Sequence, residues 1–160
     1  MIFSRQIRKG LAISGAVLVL DQLTKWWIIF YVMRPPQVIE VAPFFNLVMG
    51  WNYGVSFGML NSISEFSTWL LPFIVLAITA GLIKWLFRVD QLRQAIALGF
   101  IIGGAIGNLI DRIRFGAVAD FLDFHAWGYH WPAFNVADSA ITIGAIALIL
   151  DSLFTGEKKS

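Results

Sequence analysis

The sequence predicts an all-α membrane protein: four transmembrane helices, both termini cytoplasmic, and a small β-containing outer-face loop region between helices 1 and 2. Three observations predict it. The 160 residues are 58% hydrophobic and only 14% charged, with a mean hydropathy of +0.74, whereas soluble domains devote roughly a quarter of their residues to charge. Apolar stretches able to cross a hydrocarbon core, which needs about 20 residues, recur at about 11–30, 66–83, 94–110 and 137–154. Basic clusters alternate with these stretches in a way that fixes an orientation. A single domain over 1–160 follows. The same composition excludes other classes. With no cysteine and a net charge of +2, there is no disulfide scaffold, no thiol nucleophile, no cysteine-ligated metal and no basic surface for nucleic acid.

Taken in order, the first stretch, Leu11 to Phe30, carries Asp21 and Lys25. Their i, i+4 spacing lets them pair on one helix face, which alone would allow the segment to insert. A basic start followed by an apolar run also fits a signal peptide, but no small-x-small cleavage site follows Leu20. The second stretch, Phe66 to Ile83, and the third, Gln94 to Ile110, are uncharged throughout. Gly103, Gly104 and Gly107 in the third read as close helix packing of the small-xxx-small kind. The fourth, Ala137 to Phe154, opens on Asp138 and holds Asp151 near its far end.

Arg5, Arg8 and Lys9, then Lys84, Arg88 and Arg93, then Lys158 and Lys159 mark cytoplasmic flanks and outnumber Arg112 and Arg114 on the other side. The segments 31–65 and 111–136 therefore face outward. The first contains Val38 to Val41 and Phe44 to Met49, strand-like in composition, then a Gly-rich run to Leu60. Such a sheet must have its backbone groups paired or wetted, so it rests at the interface. Trp26, Trp27, Trp51, Trp69, Trp127 and Trp131 fall near outer ends and Trp85 at an inner end, as an aromatic belt would.

This topology brings Asp21, Lys25, Asn108, Asp111, Arg112, Asn135 and Asp138 to one depth, with Asn52, Gly54 and Asp120 on the loops joining those ends. Charges at membrane depth cost roughly 2.5 to 3.5 kcal/mol each on insertion scales, so a cluster of them signals a site. Bland readings exist for each part: an ion pair of Asp111 with Arg112, and a helix cap from Asn135 and Asp138. His125 and His130, five apart in a loop, read as interfacial residues, and no metal or other cofactor is expected. Two neighbouring carboxylates can hydrolyse an amide if one keeps a proton while the other activates water. Asp111, Asp120 and Asp138 are candidates, with Asp123 a more loop-like fourth. Asp111 is adjacent to Arg112 and expected to be charge-paired, which leaves Asp120 and Asp138 the most available, although spacing alone does not choose.

Ordered motifs then carry a resemblance. Asp21-Gln22-x-x-Lys25, Asn52-x-Gly54-x-x-Phe57-Gly58, Gly103-Gly104-x-x-Gly107-Asn108-x-x-Asp111-Arg112, Val118-x-Asp120-Phe121 and Phe134-Asn135-x-Ala137-Asp138-Ser139 together resemble signal peptidase II, the bacterial lipoprotein signal peptidase family. Ser56, where the family often has Ala, is a small departure. The resemblance implies an aspartyl endopeptidase of the bacterial plasma membrane, with its active site near the outer face. It would cut prolipoproteins immediately before a diacylglyceryl-modified cysteine and be inhibited by globomycin. It implies Asp120 and Asp138 as the catalytic pair. Asn52, Gly54, Asn108, Arg112 and Asn135 would line the substrate or inhibitor site, with Asp21, Lys25 and Asp111 supporting it. The expected partners are the lipidated substrate and membrane lipid, and a monomer is expected because four spans build a complete site. A rival reading is a small proton-coupled transporter relaying through Asp21, Asp111 and Asp138. It requires carboxylates through the whole depth, and only Asp90 and Asp151 lie inward. A non-enzymatic scaffold leaves the clustering unexplained.

Overall fold

A computed structural model describes residues 4–54 and 66–156. Helix α1 runs Arg5–Trp27 and continues as a π-helical turn over Ile28–Val32. Strands β1 (Ile39–Ala42) and β2 (Phe45–Asn52) follow, then α2 (Phe66–Leu86), α3 (Leu92–Phe115), β3 (Val118–Ala126), β4 (Tyr129–His130) and α4 (Val136–Gly156). Among the described residues, three helices are long and apolar enough to cross a membrane, namely Arg5–Val32, Leu92–Phe115 and Val136–Phe154. In α2 the apolar run with described side chains is the shorter Leu70–Leu86. Each helix covers the corresponding apolar stretch of the sequence and extends past it at one or both ends. Charged residues such as Arg5, Lys84 and Arg112 join the helices, because a helix ends where its backbone bonding ends, which need not be at the edge of its apolar run.

Helix α3 is the central element, packed between α1 and α4. Its glycines make that possible. Gly99 and Gly103 face α1 so closely that an added Cβ would stand 2.5 Å from the Gly10 carbonyl oxygen and 2.6 Å from that of Ser14. One turn further on, Gly107 leaves room for the carboxylate of Asp21, while Gly104 on the adjoining face admits the Ala137 carbonyl of α4, 2.5 Å from where its Cβ would be. Without a hydrophobic driving force between helices in lipid, such close backbone approach supplies the dispersion contacts that hold them. These contacts make α1 parallel to α3 and α4 antiparallel to it. The exposed apolar side chains Leu20, Leu23, Phe73, Ile146 and Leu150 form the outer surface of the bundle.

The antiparallel sheet has the order β1-β2-β3-β4. Strands β1 and β2 lie where strand-like composition placed them. Strand β3 was not expected: the sequence read 111–136 as a loop, and the structure makes it a central strand. Its start is set by Gly116, a left-handed cap at the end of α3 with φ 74°. Its far end is a two-residue turn, Trp127-Gly128, with both φ values positive at 50° and 79°, the conformation that joins twisted hairpin strands. The sheet packs on the ends of α1 and α4 through Ile28, Met33 and Phe121, with Leu47, Met49 and Val136 around them. The Gly-rich run, including Ser56, Phe57 and Gly58, lies outside the described residues, as do Lys158 and Lys159 and the side chain of Trp69.

Gly103→Ala is expected to lower stability by about 1–3 kcal/mol, because its methyl must displace the Ser14 backbone or Val17. Gly81→Ala on α2, where an added Cβ meets nothing within 4 Å, should be neutral or slightly stabilising. Thermal melting of both variants in detergent reads the contrast.

Candidate active site

The site is built on a buried cation. The ammonium of Lys25 lies 3.0 Å from Asp21 Oδ2 and 2.8 Å from Asp111 Oδ2 and donates to Asn108 Oδ1 at 2.9 Å. All four side chains are buried, so the three donors of the ammonium are each taken by an oxygen. Gln22 braces the carboxylates by donating to Asp21 Oδ2 and Asp111 Oδ1, both at 3.1 Å. The carboxylates also reach other elements. Asp21 Oδ1 accepts the Ala137 amide at 3.0 Å, in the first turn of α4 where a negative charge suits the helix dipole, and Asp111 Oδ2 accepts the Ala119 amide of β3 at 3.3 Å.

The expected ion pair of Asp111 with Arg112 is corrected by this arrangement: the partner is Lys25. Consecutive residues on a helix do not face each other, and Arg112 instead donates through Nη1 to the Asn108 carbonyl at 3.3 Å. Its Nε is buried and has no hydrogen-bond partner among the described residues.

Above this base stand two further carboxylates, each held by asparagine amides. Asn135 caps α4 reciprocally: its Oδ1 accepts the Asp138 amide at 2.9 Å, and Asp138 Oδ2 accepts the Asn135 amide at 3.3 Å. The Asn135 side-chain amide donates to Asp120 Oδ1 at 2.6 Å, and that of Asn52 donates to Asp120 Oδ2 at 3.0 Å. Asn108, whose oxygen is fixed by Lys25, donates through Nδ2 to Asp138 Oδ1 at 2.7 Å, while Asn135 reaches the same Asn108 oxygen at 3.4 Å. Asp120 and Asp138 are thus linked through two asparagines. Asn52 also accepts the Gly54 amide at 2.8 Å, and Gly54, at φ 82°, lies against Leu71 and the Arg112 guanidinium with no room for a side chain. All ten residues singled out in the sequence are joined in one network.

The two carboxylates differ in environment. Asp120 is buried at 4% exposure. Burial pushes its carboxyl up to about 6 from 3.8 and the neighbouring charge of Asp138 adds to this, against the hydrogen bonds from Asn52 and Asn135. Asp138 is only half-buried and opens onto an apolar groove lined by Trp131, Phe134, Thr142 and Ile143. Asp123 is not loop-like, as the sequence suggested. It sits on β3 three residues from Asp120, and this odd spacing turns it to the other face of the strand. There it accepts from Asn46 at 3.1 Å and meets His130 Nδ1 at 2.9 Å, with His125 stacked on His130. Burial alone would raise its carboxyl, but the hydrogen bonds from His130 and Asn46 hold it below the usual range. Gln22 belongs to the Asp21-Gln22-x-x-Lys25 motif but its role is not apparent from sequence; a glutamine one residue from a membrane-depth Asp is the one signal for it.

With this geometry in hand, the signal peptidase II family model matches residues 13–154 of the chain. The chain belongs to the signal peptidase II family. A lipoprotein signal peptidase of Methylorubrum extorquens is 46% identical over 149 residues, covering 91% of this chain and 86% of that protein. One of Rhizorhabdus wittichii is 45% identical over 152 residues, covering 94% and 88%. A bacterial membrane enzyme solved by the in meso method at 1.9 Å superposes with a TM-score of 0.76 at 34% identity, covering 90% of this chain and 92% of that one. A second, at 2.3 Å, gives 0.74 at 33% identity with coverage of 94% and 91%. Membership makes the protein a membrane peptidase, a hydrolase.

Lys25→Met should cost about 3–5 kcal/mol, because it leaves two buried carboxylates without their cation. Adding Asp111→Asn should recover part of the loss. Unfolding in mixed micelles measures both, and a Lys25→Met variant as stable as the parent would contradict the buried ion cluster.

Proposed function

We propose that this signal peptidase is an intramembrane aspartyl endopeptidase that removes the signal peptide of prolipoproteins, cutting immediately before the diacylglyceryl-modified cysteine. The observation that carries the reading is the pairing of Asp120 and Asp138 across Asn135 and Asn108, with Asp120 pushed up to about 6. Two carboxylates so placed share a proton. The ionised one takes a proton from water as the water attacks the scissile carbonyl carbon. The protonated one donates to the carbonyl oxygen, and the resulting tetrahedral species collapses as the amine leaves with a proton. Their proton affinities belong to the pair. Arg112, beside Asn108 and Gly54, would hold peptide carbonyls, and the asparagines keep both carboxylates aimed.

The substrate class has its own physical logic. Each buried CH₂ of a lipid anchor contributes about 0.8 kcal/mol, so the cysteine's acyl chains stay in the membrane and the enzyme must work at its surface. In this reading α2 is a fourth span, both termini are cytoplasmic, and the sheet rests at the outer interface of the bacterial plasma membrane. The protein acts as a monomer and globomycin occupies the substrate site. A proton relay is not favoured, since Asp151, a buried carboxylate toward the opposite end of the bundle, is engaged by Gln94 at 2.9 Å and Arg93 at 3.1 Å.

A diacylglyceryl-modified lipobox peptide should be cleaved in detergent and its unlipidated form should not; failure on the lipidated peptide overturns the substrate class. Asp120→Asn and Asp138→Asn should each lower kcat by about 10²-fold or more while the protein remains folded. Asp123→Asn, on the other strand face, should retain cleavage, and the opposite pattern would reassign the pair. The activity should also depend on pH. A carboxyl raised from 3.8 to about 6 holds its proton below that value and loses it as pH rises through it, so kcat/KM should fall on the alkaline side of an inflection near 6. A flat profile across that region would count against Asp120 as the proton holder.

A further inference from the structure

At the end of the bundle remote from the carboxylate pair, α1 and α3 begin side by side, and a cleft of about 270 Å³ opens between them, lined by Arg5, Gln6, Lys9 and Leu92. Next to Lys9 along α1, Gly10 meets Ala95 and Leu86 in a tight crossing. Arg5 and Lys9 stand one helical turn apart, on the same face of α1, and among the described residues neither forms an ion pair. Among the described residues no carboxylate lines the cleft. Asp151 is taken by Arg93 and Gln94, and Asp90, at the turn before α3, is exposed. Arg8, Lys84 and Arg88 add three more cations at this end.

We propose that this cleft binds the phosphate headgroup of an anionic membrane phospholipid, with Arg5 and Lys9 on the phosphate and Gln6 donating a further hydrogen bond. Arg5 and Lys9 are two unpaired cations on adjacent turns of α1, and an anion between them converts repulsion into attraction. The cleft lies about 24–30 Å along α1 from Lys25 by helical rise, close to the thickness of a hydrocarbon core of about 30 Å, so with Lys25 near one membrane boundary the cleft falls near the other. Basic pockets between membrane helices are suited to anionic headgroups. Leu92 of the cleft and Leu11 nearby on α1 are 38% and 37% exposed, so acyl chains can lie along them below the headgroup. The lipid so bound holds α1 and α3 together at the end where, among the described residues, no side-chain ion pair joins them.

The test uses the full chain purified in detergent, with phosphatidylglycerol, phosphatidylcholine and inorganic phosphate titrated separately and binding read by native mass spectrometry and thermal shift. Phosphatidylglycerol should be retained and raise the melting temperature; phosphatidylcholine should do neither. Arg5→Gln/Lys9→Gln should weaken phosphatidylglycerol binding about tenfold or more, while Arg8→Gln/Arg88→Gln, which removes the same charge outside the cleft, should change it less than about twofold. Equal losses in the two double variants would mean a diffuse charge effect and overturn the site. Equal binding of phosphatidylcholine, or protection by inorganic phosphate at the same concentration, would overturn the lipid as occupant. If Arg5→Gln/Lys9→Gln does not fold, the charge-keeping Arg5→Lys/Lys9→Arg variant takes its place. It must retain selectivity for phosphatidylglycerol over phosphatidylcholine, and losing it overturns the proposal.

Discussion

Everything at the functional end of this molecule depends on one ammonium group removed from water. Lys25 is 2% exposed and its carboxylate partners Asp21 and Asp111 are 0% and 1% exposed. Such a cluster is tolerable only when every charge is paired and every remaining lone pair is satisfied, because desolvation otherwise exceeds the Coulombic gain. Here the leftover acceptor capacity is used to join elements: Asp21 receives the amide of Ala137 and Asp111 that of Ala119. A single ion cluster therefore sets the relative positions of α1, α3, α4 and β3.

From that foundation the polar network runs outward in one direction. Lys25 fixes the oxygen of Asn108, which forces the amide nitrogen of that side chain toward Asp138. Asn135 has two jobs on one side chain, its oxygen capping α4 and its nitrogen holding Asp120. An asparagine supplies both a donor and an acceptor at a fixed spacing, and a carboxylate in either place would add a like charge beside the pair. The glycines of α3 serve the same end, since only their missing side chains let α1 and α4 come close enough for Asp21 to bridge them.

The strand β3 carries one carboxylate to each of its faces. Asp120 goes to the network with Asn52 and Asn135, and Asp123 to Asn46 and His130. Two aspartates three residues apart thus acquire opposite shifts, one raised by burial and its neighbour Asp138, the other lowered by its hydrogen-bond donors.

The sequence by itself determined the class of protein, the positions of the helices and the residues of the cluster. Hydropathy is a property of the chain, and isolated charges in apolar runs stand out without any fold. It also anticipated the Asp21–Lys25 pair and the cap formed by Asn135 and Asp138, because both are contacts between residues within four of each other. Only the tertiary structure decided the partner of Asp111, the use of Gln22 as a brace, and the strand that carries Asp120. Those depend on contacts between segments up to about a hundred residues apart, such as Lys25 with Asp111 and Asp21 with Ala137, and no local pattern encodes which of several nearby charges a buried cation will meet.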